Sequence, residues 1–474
     1  MSFWSKLKKF IRKIFIDYNE IDKICDYKYK MLDNNISQIT LEMNNNNNNI
    51  KSELSEIKEQ QKVIEKELEN KIINEINNSI LKFRDDFSYT NFELLNIKRD
   101  PKYKNILIVG FYGAPNLGDE LMLETLLEYI ENIPNKKITV LLADNPEYSI
   151  DKYKDIRFIH YPKTLYDFNV MAEQYDYIIF GGGAVIDDKQ YKKEKSYQYD
   201  LGTILIKLSI RAIAFKNKVI CIALSASKDI LDTEYLEKLK YIIQNSYYFS
   251  VRDEYTRKYL SEKLGKECEE KIIKVHDIVF SNKKILKNIE DKHKLKNYKN
   301  IGIIAISNDD NLEKIDLIIN DIKKYNKNII INLIPFYDYN NMDIEFYKKI
   351  IEKHTDIKIN IENFPENMQK TIDFYKKNDI IIGMRYHSIL LAYALNIPCV
   401  AICYDIHEHY IYKIKYLNEI FNKGQAISYK NLKENDILYK LNETSKDLEK
   451  SDTISKIILS QAEEQVTGII NKIF

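Results

Sequence analysis

Glycine is scarce in this chain. It occurs 12 times in 474 residues, where an average usage of roughly 7% would give about 33. A sequence this sparing keeps glycine where backbone geometry or the close approach of another group requires it. Six of the 12 fall in two places: Gly110, Gly113 and Gly118, then Gly181, Gly182 and Gly183. Cysteine is rarer still, with five residues and no metal-type spacing. That count argues against a disulfide framework or a zinc site and points to a reduced, cytoplasmic protein. Excess charge of either sign is missing, since the formal net charge is +1, so the whole chain carries no nucleic-acid signature. Long apolar runs are missing too. Nothing reaches the length needed to span a bilayer, and charges interrupt the apolar residues at the start, which does not read as a secretory signal.

What is present fits two or three domains with sizeable cores, given 474 residues of which 45% are hydrophobic. Residues 1–20 form a basic amphipathic helix by pattern. Phe3, Trp4, Leu7, Phe10, Ile11, Ile14 and Phe15 recur at helical spacing against Lys6, Lys8, Lys9, Arg12 and Lys13. Residues 3–16 therefore suit a peripheral contact with anionic lipid, on the inner face of the cell membrane. The alternative is a helix docked on its own protein. Over 21–100 the pattern is a helical spacer. Ile36, Met43, Ile50, Ile57 and Ile64 repeat every seven residues, which predicts a modest coiled coil over 36–83 and homo-oligomerisation through it. A solvated linker is the alternative.

From residue 101 onward, apolar runs of β-branched residues alternate with helical patterns, which argues for parallel sheets with ligands at the strand C-termini. Ile106–Val109 is a buried strand that leads into Gly110-Phe111-Tyr112-Gly113, Asn116 and Gly118-Asp119-Glu120. Asp119 and Glu120 suit the first turn of the helix that follows, where carboxylates complement the dipole. Strand, glycine loop and helix together offer backbone N–H groups to an anion. A strand ending at Phe180 leads into Gly181-Gly182-Gly183, a second strand-to-glycine loop. Further strands end at Arg252-Asp253 and at His276-Asp277, and each pair reads equally well as an internal ion pair or as function. A charged stretch at 291–299 reads as a linker between 101–290 and a second α/β unit over 300–425. In that unit a strand at 379–382 ends at Gly383-Met384-Arg385-Tyr386-His387, and another at 398–403 ends at Tyr404-Asp405-Ile406-His407. Arg385 offers a planar fork to phosphate or carboxylate, and His387 a general acid near neutral pH. The competing reading is an Arg385–Asp405 pair beside a core histidine. His160, His293, His354 and His409 read as surface residues, and Cys399 and Cys403 as core. Residues 426–474 end in an amphipathic helix that packs back on the rest.

In this order the motifs Gly110-Phe111-Tyr112-Gly113-x-x-Asn116-x-Gly118-Asp119-Glu120, Gly181-Gly182-Gly183, Arg252-Asp253, Asp277 and Gly383-Met384-Arg385-Tyr386-His387 resemble the polysaccharide pyruvyl transferase family. The resemblance covers residues 104–421. It implies two Rossmann-like domains in a GT-B-like arrangement, and an enzyme that transfers pyruvate from phosphoenolpyruvate to a sugar of a cell-surface polysaccharide or its lipid-linked precursor, forming a ketal. It further implies that His387, Arg385 and Arg252 hold or act on the donor. Gly110, Gly113, Asn116, Gly118, Asp119, Glu120, Gly181, Gly182, Gly183, Asp277, Tyr404, Asp405 and His407 are then expected to bind substrate, with no metal and no cofactor. Two positions depart from the family pattern. Ala184 stands where a fourth glycine is common, and Ile406-His407 stands where the family often has Pro-Lys. The donor's cation is then expected from protonated His407 or from Lys413. A GT-B-type glycosyltransferase acting on a nucleotide sugar, and a non-catalytic scaffold of the same fold, are the alternatives. No acceptor sugar is readable from the sequence.

Overall fold

The computed structural model describes residues 97–143, 153, 155–189, 191, 199–226, 230–289, 297–406, 408–444 and 451–474, with six helical residues between 59 and 67. The basic segment 3–16, nearly all of the heptad span 36–83, residues 291–296 of the expected linker, His293 and His407 lie outside the described residues.

The first sheet is built from β1 (Lys104–Tyr112), β2 (Lys136–Leu142), β3 (Ile156–His160), β4 (Tyr177–Ile186), β5 (Lys218–Ala226), β6 (Tyr248–Val251) and β7 (Ile273–Lys274), in the order β3-β2-β1-β4-β5-β6-β7. Its described pairs are parallel, with Ile106 opposite Ile138 on one side and Tyr177 on the other. Ile106, Leu107, Ile108 and Val109 have no exposure. Such an unbroken apolar run is what a strand needs when helices cover both faces. Helices α1 (Leu117–Ile130), α2 (Leu165–Gln174), α3 (Leu201–Ala214), α4 (Thr233–Asn245) and α5 (Glu254–Leu264) supply those covers. Aspartates start three of them: Asp200, Asp232 and Asp253 each accept a backbone N–H from their first turn.

The second sheet contains β8 (Asn300–Ile304), β9 (Ile330–Leu333), β10 (Lys358–Ile361), β11 (Ile380–Gly383), β12 (Cys399–Cys403) and β13 (Ile427–Ser428), in the order β10-β9-β8-β11-β12-β13. It too is parallel. Around it lie α6 (Leu312–Tyr325), α7 (Met342–Lys353), α8 (Met368–Lys377), α9 (Tyr386–Ala394), α10 (Glu408–Ile420) and α11 (Asp436–Thr444), and α12 (Ser451–Ile473) ends the chain. In each sheet the strand order reverses next to the first strand, between β1 and β4 and between β8 and β11. That reversal opens a crevice at the strand C-termini.

Both sheets belong to one compact unit beginning at Asp86. A single apolar cluster joins them, running from Leu121 and Leu123 of α1 through Phe280 and Phe336 to Leu390 of α9 and Val466 of α12. Helix α12 serves both halves. Ser455 donates to the Tyr393 carbonyl at 2.9 Å, while the carbonyls of Lys472, Ile473 and Phe474 accept from Tyr247, Lys218 and Lys104.

Two expectations change, for the triple glycine and for His354. The triple glycine is not a loop after β4 but part of the strand, with Gly182 and Gly183 at φ +83° and +89° and a register shift against β5 beyond Gly183. Only residues without a Cβ take such angles cheaply, and the alternating polarity that marks a strand vanishes in a glycine run. His354 is not a surface residue: it is buried, with Nε2 2.9 Å from Asp316 and Nδ1 3.0 Å from Lys323. Cys399 and Cys403 lie on β12 as free thiols, the first half-buried and the second buried.

Candidate active site

The loop between β1 and α1 is clamped at both ends. Gly113, at φ +75°, donates its N–H to Glu120 Oε1 at 2.8 Å. Glu120 is therefore a brace for the loop. On the other side, Leu117 donates to the Phe336 carbonyl at 2.8 Å, Asp338 donates to the Pro115 carbonyl at 2.9 Å, and Asn116 bridges to Tyr337. These bonds press the start of α1 against the second half of the unit. Gly118 meets His387 there, and a Cβ on Gly118 would lie 2.0 Å from His387 Nδ1. Gly110 and Gly181 make room for the Tyr112 side chain, which donates its hydroxyl to the Gly181 carbonyl.

A buried charge centre lies beside this contact. Arg252, at the end of β6, donates from Nη1 to Asp277 Oδ2 at 2.8 Å, and its guanidinium carbon lies 4.5 Å from the Tyr386 ring centre. His387 Nε2 is 3.6 Å from the same Asp277 oxygen, beyond a hydrogen bond. Burial alone would raise the Asp277 carboxyl, but Arg252 and His387 overcome it and hold the group well below the usual carboxylate range. Asp253 spends Oδ1 on the first turn of α5, accepting from Thr256 at 2.7 Å. Arg252 Nε, Asp253 Oδ2, Tyr386 Oη and His387 Nε2 are all buried and all lack a hydrogen-bond partner among the described residues. Buried polar atoms in a folded protein are normally paired, so four orphans in one place mark a site shaped for something polar.

Two further groups face this centre. Lys413 of α10 is 8% exposed. Its ammonium, 5.9 Å from the Tyr410 ring centre, makes no hydrogen bond or ion pair among the described residues. Desolvation, reinforced by Arg252, lowers it to about 7. Asp119 of α1 is only partly accessible and likewise has no hydrogen bond among the described residues. Desolvation raises it to about 7, against the pull of His387 and Arg252 and with help from Glu120 and Asp277. The Asp119 carboxylate lies 3.4 Å from where a Gly183 Cβ would stand, so the glycine turn leaves its flank clear.

Arg385 stands at the head of α9 with much of its fork in use. Nε donates to the Ala305 carbonyl at 3.1 Å and Nη2 to Asp343 Oδ1 at 2.9 Å. The expected alternative partner, Asp405, is engaged elsewhere: it accepts from Ser428 Oγ at 2.5 Å and from the Lys430 N–H at 2.9 Å. Tyr404 packs on Tyr429, ring centres 4.8 Å apart. Asp343 in turn accepts the N–H groups of Phe336 and Tyr337, each at 2.8 Å. Arg385 thus anchors the same segment that clamps the first loop.

The fold brings Gly118, Asp119, Gly183, Arg252, Asp277 and His387 together, with Lys413 beside them. Glu120 and Asp405 brace loops. Tyr386 belongs to the centre and Asp343 to the Arg385 anchor, and neither was singled out from the sequence as a site residue. Asp343 follows two asparagines at positive φ, Asn340 and Asn341, the one local sign that its helix begins at a shaped turn. Chemically, the arrangement offers two desolvated cations, a histidine with an unpartnered ring nitrogen and a carboxylate that titrates near neutrality. With Arg252 paired to Asp277, Lys413 is the cation that lacks a counter-ion among the described residues, and a dry site favours an anion beside it.

The family model for polysaccharide pyruvyl transferase matches residues 116–406. No curated protein sequence matches the chain. Among solved structures, the UDP-GlcNAc 2-epimerase of Neisseria meningitidis, bound to UDP-GlcNAc, is similar at 11% identity over 78% of this chain and 99% of that one, with a TM-score of 0.50. A glycosyltransferase of Rickettsia africae is similar at 14% identity over 79% of this chain and 96% of that one, with a TM-score of 0.47. The likeness to the epimerase shows a GT-B-type fold.

Proposed function

The chain belongs to the polysaccharide pyruvyl transferase family, and from that premise we propose that it transfers the pyruvyl group of phosphoenolpyruvate to a sugar of a surface polysaccharide or its lipid-linked precursor, closing a ketal on two hydroxyls. The observation that carries this reading is the pair of buried cations, Arg252 and Lys413, with Arg252 Nε and His387 Nε2 unpartnered beside them. A small molecule bearing both a carboxylate and a phosphate matches that demand, and an uncharged sugar does not.

In the mechanism, Arg252 and Lys413 hold the two anionic groups, and Arg385 reaches them with the part of its fork left over from Asp343. Asp277 keeps Arg252 in place and lies 3.6 Å from His387 Nε2. Protonated His387 delivers a proton to the methylene carbon of the donor. The neighbouring carbon becomes electrophilic, a sugar hydroxyl adds to it, phosphate leaves, and the second hydroxyl closes the ring. The desolvated cations stabilise the leaving phosphate more strongly than water would.

The nucleotide-sugar reading keeps one point in its favour, the GT-B-type fold shared with the epimerase. One experiment separates the two: phosphate release from phosphoenolpyruvate with lipid-linked glycan present, coupled to mass spectrometry of the glycan. A pyruvate ketal on the glycan is expected, and glycan that gains a sugar from a nucleotide donor instead overturns the proposal. The proposal extends to a peripheral position on the inner membrane face through residues 3–16 and to self-association through 36–83. Equal cosedimentation with anionic vesicles before and after removal of residues 1–20 counts against the first. An unchanged mass in light scattering without 36–83 counts against the second.

A further inference from the structure

We infer that Asp119 is the base that takes the proton from the attacking sugar hydroxyl, a role that rests on the pyruvyl-transfer reading. The reaction needs such a group. One proton enters the methylene carbon from His387, the first C–O bond forms as its hydroxyl loses a proton, and the bond from carbon to the phosphate oxygen breaks. The second hydroxyl then forms the second C–O bond, and its proton departs on the phosphate. The first hydroxyl's proton is what restores His387, and a base beside the histidine takes it as the hydroxyl attacks and returns it to the imidazole.

The geometry points to one carboxylate. Asp277 is occupied by Arg252 at 2.8 Å and by the N–H of Val279 at 3.1 Å. Asp253 is committed to the start of α5. Asp119 alone has neither an ion pair nor a hydrogen bond among the described residues. It follows directly on Gly118, whose missing Cβ lets the His387 ring rest against the helix, so base and acid are neighbours. The opposite flank is Gly183, which turns at φ +89° and carries no side chain, so only the Met122 methyl and Asp119 itself border the space a Cβ would fill. An aspartate serving only the helix dipole would be stabilised as an anion. Asp119 is pushed the other way, to about 7, by desolvation. The groups that face it are His387, Arg252, Lys413, Glu120, Asp277 and the tyrosines Tyr112, Tyr161 and Tyr410. A base that titrates near the working pH is well matched to proton transfer.

The test compares wild type, Asp119→Asn and Asp119→Glu in the full-length protein. Phosphoenolpyruvate affinity comes from calorimetry, turnover from phosphate release with lipid-linked oligosaccharide as acceptor, and Asp119 protonation from the difference infrared spectrum of wild type against Asp119→Asn. The expected result is a protonated-carboxyl band that fades near pH 7, donor affinity of Asp119→Asn at pH 7 within about threefold of wild type, and turnover lower by roughly a hundredfold or more. The acid limb of the pH–rate profile should vanish in Asp119→Asn and persist, at reduced rate, in Asp119→Glu. A wild type that transfers pyruvate while Asp119→Asn stays within threefold of it overturns the role of Asp119 and leaves the function standing. A band that fades near pH 4 overturns it equally. A wild type that neither binds phosphoenolpyruvate nor releases phosphate overturns the functional reading itself.

Discussion

Gly118 and His387 share one space: a Cβ on the glycine would fall 2.0 Å from the imidazole Nδ1. Gly118 sits in the first turn of α1 at a φ that other residues tolerate, so Gly118→Ala is no burden on the helix and would by itself favour it by about 0.5–1 kcal/mol. The clash with His387 decides the sign. We expect Gly118→Ala to fold, to lose at least a hundredfold in turnover and to melt lower than wild type. Gly118→Ala/His387→Ala should recover the melting temperature without activity. Thermal unfolding of the three variants checks this, and independent, additive effects would show that the two residues do not touch.

His387→Ala and Arg385→Ala should differ in kind. His387 Nε2 makes no hydrogen bond among the described residues and stands 3.6 Å from Asp277. Its removal should leave the melting temperature within a few degrees of wild type and lower turnover about a hundredfold to ten-thousandfold. Arg385→Ala strands Asp343, which is fully buried, and breaking such a pair typically costs about 3–5 kcal/mol. That variant should lose stability as well as donor affinity. Thermal unfolding alongside pyruvyl transfer separates them.

Much of this was legible beforehand, for a physical reason. Buried parallel strands such as Ile106–Val109 and Ile380–Gly383 write themselves as apolar runs, and the polar residues after them sit at the strand C-termini where such sheets bind ligands. Gly118, Arg252, Asp277 and His387 were visible for that reason. What stayed hidden depends on distant partners. Nothing near Arg385 says that Asp343, 42 residues away, takes up its fork. Lys413 was named as a candidate cation only through the family resemblance, since helix α10 carries no glycine and no strand boundary to mark a residue that feels Arg252 across the fold. The short strands β3 and β13 owe their existence to their neighbours' edges, with five and two residues.

Donor affinity should fall as the pH rises. Lys413 is depressed to about 7 and Asp119 is raised to about 7. The sign follows from the two directions. A depressed lysine contributes stability that is lost as pH falls through about 7, where it must charge in a dry site, and a bound anion relieves that cost. A raised aspartate contributes stability that is lost as pH rises through about 7, where it becomes a second anion beside the donor. Both make phosphoenolpyruvate bind more weakly above pH 7, by about tenfold per pH unit for each proton linked. Calorimetry from pH 6 to pH 9 should show this, and Lys413→Arg, which stays charged, should flatten the curve. An affinity independent of pH would rule out Lys413 as the donor's cation.

Asp277→Ala should be the most destabilising single change at the centre. It leaves Arg252, 3% exposed, without its ion-pair partner, and a loss of about 3–5 kcal/mol is expected. Denaturant unfolding measures it. Asp277→Ala with Arg252→Met, which replaces the pair by apolar volume, should recover part of the loss while remaining inactive.

The final turn of α12 sets an order for the birth of the molecule. Its carbonyls are reached by Lys104, 370 residues earlier, by Lys218 and by Tyr247, and the Phe474 ring lies 4.6 Å from that of Tyr177. Lys104, Tyr177 and Lys218 stand at the starts of β1, β4 and β5. A nascent chain whose first sheet has already left the ribosome must therefore hold that edge uncovered until residues 451–474 emerge. Closing so long a loop is slow compared with local helix formation, so docking of α12 is expected to be the late step in refolding. A fragment ending before Ser451 should expose the apolar side of the first sheet and aggregate, and supplying residues 451–474 in trans should rescue it.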